Sequence, residues 1–240
     1  MACLICGCSK TVRSHILPKA LALDIREGSK HIIQGSRFHK GAKPSQGGAF
    51  SDGILCSLHE QRTAALDTYG VDFIRRAASE FERLTPERSF QVANPQPNRL
   101  LLFALSIVWR ELAFSPREGQ RGLGKYRGPI ENAIFGDGAF DAPMLIARTR
   151  FRAGSDDPIK IGVHPHPIRM KDRNVWSMTL AGFSFYPVLD ARGMPILPDW
   201  LRANQSDPIA IVVGHWQDLD EVGILKPILA NMRSKPGPIR

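Results

Sequence analysis

The chain has 240 residues, 43% of them hydrophobic and 23% charged, with a formal net charge of +9. That length and apolar content support one sizeable core or two small ones and exclude a compositionally disordered chain. The start of the chain lacks the charged region and apolar run of a secretory signal, and the longest apolar stretch, Leu100 to Trp109, is about half of the ~20 residues that a membrane span needs. A cytoplasmic protein without a membrane partner is expected.

The first feature along the chain is the group Cys3, Cys6 and Cys8, with a fourth cysteine at Cys56. In a reducing compartment such a cluster points to metal ligation rather than to disulfides. Cys3 and Cys6 have the CxxC spacing of a zinc knuckle, where a tight turn aims two thiolates at one ion, and Cys56 and His59 repeat that spacing at the entrance to a helix. Together they form a Cys3His tetrahedral set. Cys8 competes for the place of Cys6 or His59, and the plain alternative is a group of ordinary buried thiols. With four protein ligands no position is left for substrate, so the zinc is expected to be structural.

Between Lys10 and Lys43 lie eight basic residues (Lys10, Arg13, Lys19, Arg26, Lys30, Arg37, Lys40 and Lys43) against Asp24 and Glu27, with His15, His31 and His39 among them. Such a patch draws polyanions by releasing their counterions, although a solvated face is the ordinary reading of a charge run. The Gly-, Ser- and Lys-rich stretch of residues 28–53 reads as loops with brief strands around HIIQ and ILC. His15, in RSHILPKA, is open to three readings at this point: a zinc ligand, a general base, or a side chain that only helps the loop to fold.

Helical patterning starts at Ser57. SLHEQRTAALDTYG is expected to end at a glycine cap, Gly70, and a second helix follows in VDFIRRAASEFERL, with Phe73, Ile74, Ala77, Ala78, Phe81 and Leu84 as its apolar stripe. TPERSFQVANPQPN, with three prolines, reads as a linker. RLLLFALSIVWRELAF is apolar nearly all round and predicts a central buried helix opened by Asn98; at its end Trp109 and Arg110 suggest aromatic and arginine packing. Gly128 and Pro129 start a short helix, PIENAIF, stopped at Gly136. Beyond Asp141 the texture becomes β, in PMLIARTRF, PIKIGVHP, NVWSMTLAGFSFYPVL and PIAIVVGHW, before a last helical segment near DLDEVGILKPILANMRSK. Two features stand out in this region. Arg148, Arg150 and Arg152 alternate along a strand, as a solvated face or as a stripe that tracks phosphates. His164 and His166 form an HxH pair that lacks a third ligand.

CLIC, then SHILPKAL, then ILCSLHE resemble the zinc-bearing branch of the HNH endonucleases, whose pattern is CxxC, a histidine in a short HIxP signature, and LCxxC leading into a helix. The resemblance covers about residues 3 to 70. Residues 98 to 135 are also similar to the segment that follows the same module in bacterial proteins. The resemblance implies a ββα-metal fold in which His15 is the general base, a neutral imidazole with a pKa near ~6.5 suiting that task. It also implies a magnesium or manganese ion, separate from the zinc, that polarises a phosphate oxygen. Ser14 stands where the family often has a metal-binding Asp, and Glu60 where it often has a metal-binding His; a carboxylate can bind magnesium, so Glu60 is the leading candidate for that cation. Asp52 is the candidate for the middle Asn.

The fold class expected is therefore α+β. Residues 1–70 form a zinc-stabilised, HNH-like module, residues 71–140 a helical region with a buried central helix, and residues 141–240 a β-rich region that recognises a target, partner or signal. The expected activity is hydrolysis of nucleic acid, DNA first, with Lys10, Arg13, Lys19, Lys40 and Lys43 holding phosphates. Two alternatives stand beside it: a zinc-stabilised nucleic-acid-binding protein without catalysis, and an interaction or sensing module built on the C-terminal region.

Overall fold

The computed structural model describes residues 2–26, 32–36, 39–45, 47–93, 96–114, 122–150, 162–195 and 197–215. Their elements, in chain order, are β1 (Val12–His15), α1 (Lys19–Arg26), β2 (Ile32–Ser36), β3 (His39–Ser45), β4 (Phe50–Leu55), α2 (Ser57–Leu84), β5 (Ser89–Val92), α3 (Pro97–Phe114), α4 (Arg127–Phe135), β6 (Met144–Arg150), β7 (Val163–Met170), β8 (Arg173–Leu180), β9 (Phe183–Pro187) and β10 (Ile209–His215). The fold is mixed α+β. Among the described residues no helix is long and apolar enough to cross a membrane.

The β-branched and aromatic segments after Asp141, joined at one edge by β5, build a sheet in the order β5-β10-β6-β9-β8-β7. β10 runs parallel to β6, and the other neighbours are antiparallel. Because strand side chains alternate, the sheet has two apolar faces. Ile146, Trp176, Met178, Phe183, Phe185 and Ile211 join the large core that holds Phe73 of α2, Phe103 and Ile107 of α3 and Ile134 of α4. Ala147, Val175, Tyr186 and Val188 pack on the other face with Met194 and Leu197. The large core also takes in Cys3, Leu21, Ile54, Leu55 and Cys56, so the N-terminal segment and the helices share one interior.

Several expectations change. Gly70 does not end a helix: α2 runs unbroken for 28 residues through it. A Cβ at position 70 would sit 2.4 Å from the Phe103 ring, so this glycine is there to let α3 approach. The linker contains β5, an edge strand paired with β10. α3 begins at Pro97 rather than after Asn98, with proline at the first turn, where its missing N–H costs nothing. Its residues Leu100 to Trp109 are buried almost without exception, as the all-round apolar pattern predicts.

Arg148 and Arg150 are buried, so they form neither a solvated face nor a phosphate-tracking stripe; Arg152 lies outside the described residues. The Arg148 guanidinium lies 4.4 Å from the Phe183 ring centroid and 5.2 Å from that of Phe81, it donates to the Ala181 carbonyl, and burial lowers its pKa to about 10. The His164 and His166 pair does not converge on a metal: His164 pairs through Nδ1 with Glu111 at 2.8 Å, and His166 is turned into the interior. The helical segment expected near residues 218–235, the start of the PIKIGVHP strand and His31 lie outside the described residues.

Gly70→Ala tests the close approach of α2 and α3. Helix propensity alone favours alanine by about 1 kcal/mol, whereas overpacking against a buried ring costs about 1–3 kcal/mol. The second effect is expected to win, and a lowered midpoint in urea unfolding checks it.

Candidate metal centre and the polar cluster beside it

The turn at Cys3–Cys6 is closed by the Gly7 N–H donating to the Cys3 carbonyl at 2.9 Å, and the Cys3 N–H donates to the Cys8 carbonyl at 2.8 Å. Gly7 has φ +72, the left-handed conformation that glycine adopts without strain. The Leu4 N–H donates to the carbonyl of Ile54, which sets this turn against the end of β4. One residue past β4, Cys56 takes the N-cap position of α2 but makes no side-chain cap bond, because its sulfur is turned the other way. His59 follows one turn later, its ring edge-on to Phe135 of α4.

The donor atoms of Cys3, Cys6, Cys56 and His59 all lie within 4.8 Å of one another, close enough to hold one metal ion. The Cys6 and Cys56 sulfurs are 3.8 Å apart, and His59 Nδ1 lies 3.4 Å from Cys3 Sγ and 3.3 Å from Cys56 Sγ. A tetrahedral zinc has edges of about 3.8 Å between sulfurs and about 3.5 Å between sulfur and nitrogen, so the set is compatible with zinc. Burial would raise the Cys3 thiol, but the backbone N–H groups of Cys6, Ile5 and Cys56 outweigh it and bring it down to about 6. Cys8 lies outside the group, exposed, with its sulfur toward the Lys10 carbonyl.

β1 and β4 pair antiparallel, with Ser14 opposite Ser51 and His15 opposite Phe50. α2 then crosses beneath them and brings Glu60, in its first turn, to Ser14: the buried hydroxyl donates to Glu60 Oε2 at 2.5 Å. Burial raises the Glu60 pKa; Ser14 and Arg110 oppose that shift and Asp67 adds to it. His15 is half-buried, and its pKa falls below 6.5, first through desolvation and then through Lys19, Arg110 and Arg13, with Asp67 acting the other way. The His15 ring lies 5.9 Å from the Phe50 ring.

Trp109 and Arg110 are both buried, as expected at the end of this helix; the Trp109 indole N–H donates to Glu131 and its ring meets Phe135. The partners of Arg110 are what the sequence does not show directly. Fully buried, Arg110 reaches across to Asp67, with Nη2 to Oδ1 at 2.6 Å and Nη1 to Oδ2 at 2.8 Å, and Nη1 also donates to the His15 carbonyl at 2.9 Å. Two signals could have revealed the pair. Arg110 follows ten uncharged residues in an apolar helix, and Asp67 lies seven residues after Glu60, on the same helix face.

Of the basic residues, Lys10, Arg13 and Lys19 are exposed near β1. Arg13 is engaged locally: it pairs with Asp52 at 3.2 Å and lies 4.2 Å above the Phe50 ring. That places Asp52 on Arg13 rather than beside Glu60. Lys40 and Lys43 lie on β3, in the separate two-stranded ribbon with β2. Among the described residues no second group of three His, Cys, Asp or Glu side chains forms around Glu60.

No protein-family model, curated protein or solved structure matches the chain.

The purified protein is expected to hold about one metal ion per chain. Elemental analysis should find that content unchanged in Cys8→Ala and lost in Cys56→Ser, with thermal stability falling only in the second. Equal metal content in both variants would refute this ligand set.

Proposed function

We propose that this chain is a metal-dependent endonuclease of the HNH type, hydrolysing phosphodiester bonds in nucleic acid, DNA first, around a structural zinc held by Cys3, Cys6, Cys56 and His59. The observation that carries the reading is the β1–β4–α2 unit, in which the neighbour of His15, Ser14, meets Glu60, the residue that follows the donor His59 of the four-donor group.

In this reading His15 accepts the proton of the attacking water. Its environment suits a base, because desolvation and three neighbouring cations keep the imidazole neutral at physiological pH. Magnesium commonly binds through one or two carboxylates, with substrate phosphate and water completing the shell, so Glu60 can serve as the protein ligand. When bound, Mg2+ or Mn2+ supplies Lewis-acid polarisation of a phosphate oxygen. Lys10, Arg13 and Lys19, with Lys40 and Lys43 on β3, would hold the phosphate backbone. Three thiolates on one Zn2+ would leave a net charge of about −1, and the exposed cations near β1 offset it.

One observation favours a second reading, a zinc-stabilised nucleic-acid-binding protein without catalysis. The Glu60 carboxylate is already held by Ser14, and among the described residues no other carboxylate or histidine joins it in a metal-binding group.

The test is incubation with supercoiled plasmid and with RNA, in added Mg2+ or Mn2+, beside His15→Ala. Cleavage is expected to fall by about 10²–10⁴-fold in the variant, with metal content and folding intact. Because protonation removes the base, activity should hold through neutral pH and decline only as the pH drops below 6.5, the unperturbed histidine value that His15 falls short of. A wild-type chain that cuts neither substrate with either ion defeats the nuclease reading; DNA binding retained under those conditions supports the second.

A further inference from the structure

The strand end that carries His15 is pinned from both sides. Its carbonyl accepts from Arg110 Nη1 at 2.9 Å, and the next N–H, of Ile16, donates to the Ala49 carbonyl at 3.0 Å. Arg110 is itself fixed: its fork grips the Asp67 carboxylate with two hydrogen bonds, and Nε donates to the Ser106 carbonyl one turn back in α3. The side chain reaches from position 110 to position 15 through the interior, with no exposed surface.

A buried ion pair is weak evidence for stability, since well-packed apolar residues of similar volume often do as well. What an apolar pair cannot supply is the third bond, to a carbonyl next to the proposed base, or a positive charge held near its ring. We propose that Arg110, locked by Asp67, is a positioning residue: it fixes the backbone of His15, so that the buried helix α3 belongs to the reacting centre. This rests on the reading of His15 as general base.

The charged groups facing His15 come from four elements: Arg13 on β1, Lys19 on α1, Asp67 on α2 and Arg110 on α3. Removing Arg110 alone leaves Asp67 to favour the imidazolium. The acid limb of the activity profile should then move to higher pH. Arg110→Lys keeps the charge but cannot bridge Asp67 and the carbonyl with a planar fork.

The experiment compares wild type with Arg110→Met, Arg110→Lys and the paired Arg110→Met, Asp67→Leu. Arg75→Ala is the control, removing the exposed Arg75–Asp24 pair between α1 and α2. Metal content, plasmid affinity, kcat, KM and the pH profile are measured in each. In Arg110→Met and the paired variant, kcat is expected to drop about 100-fold, the cost of a misplaced reacting group, with metal content, affinity and KM near wild type. The acid limb should move upward in Arg110→Met and stay in place in Arg110→Lys, whose rate falls less. The control should match wild type throughout. A folded, metal-loaded paired variant with wild-type kcat overturns the proposal. Where the methionine variants do not fold, Arg110→Lys decides alone: a wild-type rate sinks the proposal.

A wild-type chain that cuts nothing defeats the nuclease reading instead, and NMR titration of the His15 ring then tests the clamp. A raised pKa and a lost His15–Phe50 ring contact in Arg110→Met sustain it, and an unchanged ring overturns it.

Discussion

The N-terminal fifty-odd residues depend on one constraint, the convergence of Cys3, Cys6, Cys56 and His59 at donor distances of a single ion. Among the residues of this segment whose burial is described, few apolar side chains reach the core, chiefly Ile16, Leu21, Ile54 and Leu55. Bringing Cys3 and Cys56 together closes a long loop, at an entropic cost of roughly 4 kcal/mol. A structural zinc held by these four ligands would contribute on the order of 10–16 kcal/mol at neutral pH, enough to outweigh closure and still organise the turn and the start of α2. The same constraint fixes the phase of α2. With Cys56 at the N-cap and His59 one turn on, Glu60 and Asp67 face β1.

A second anchorage joins that module to the rest of the chain. Arg110 comes from the most buried helix, Asp67 from the helix that carries the candidate metal ligand His59, and the carbonyl that Arg110 also bonds belongs to His15. Removing one member of such a pair strands a buried charge and costs roughly 3–5 kcal/mol. Together with the shared apolar core, this makes the orientation of β1 a property of the whole molecule and not of its first seventy residues. The six-stranded sheet enters the account in the same way: its inner face supplies Phe185, edge-on to Phe103, and Phe103 sits in the gap that Gly70 leaves open in α2.

The parts of the fold that were legible are those where chemistry and period agree. CxxC and CxxH spacing identified the four donors, because few other uses of paired thiols place them two residues apart. The all-apolar run of α3 marked a buried helix, and alternation after Asp141 marked the sheet. Misreadings came where one residue type serves two physical ends. Gly70 has the signature of a helix stop but provides room for a neighbouring ring. Arg148 and Arg150, which read as surface charge, are buried beside Phe81, because long aliphatic stems let a guanidinium reach a carbonyl from inside the core. β5 was hidden among prolines, since an edge strand of four residues carries too little pattern to stand out.

The sequence by itself determined the donor set of the candidate metal centre, the α+β class and the burial of α3, all of which follow from spacing and hydrophobic period within short windows. Only the tertiary structure decided that Ser14 meets Glu60, that Asp52 is engaged by Arg13, and that Arg110 closes on Asp67 and the His15 carbonyl. These contacts join residues 39 to 95 positions apart. Nothing local to either partner encodes them; they exist because two long helices and the antiparallel β1–β4 pair pack around one core, and the length of each element sets which polar groups are left facing one another.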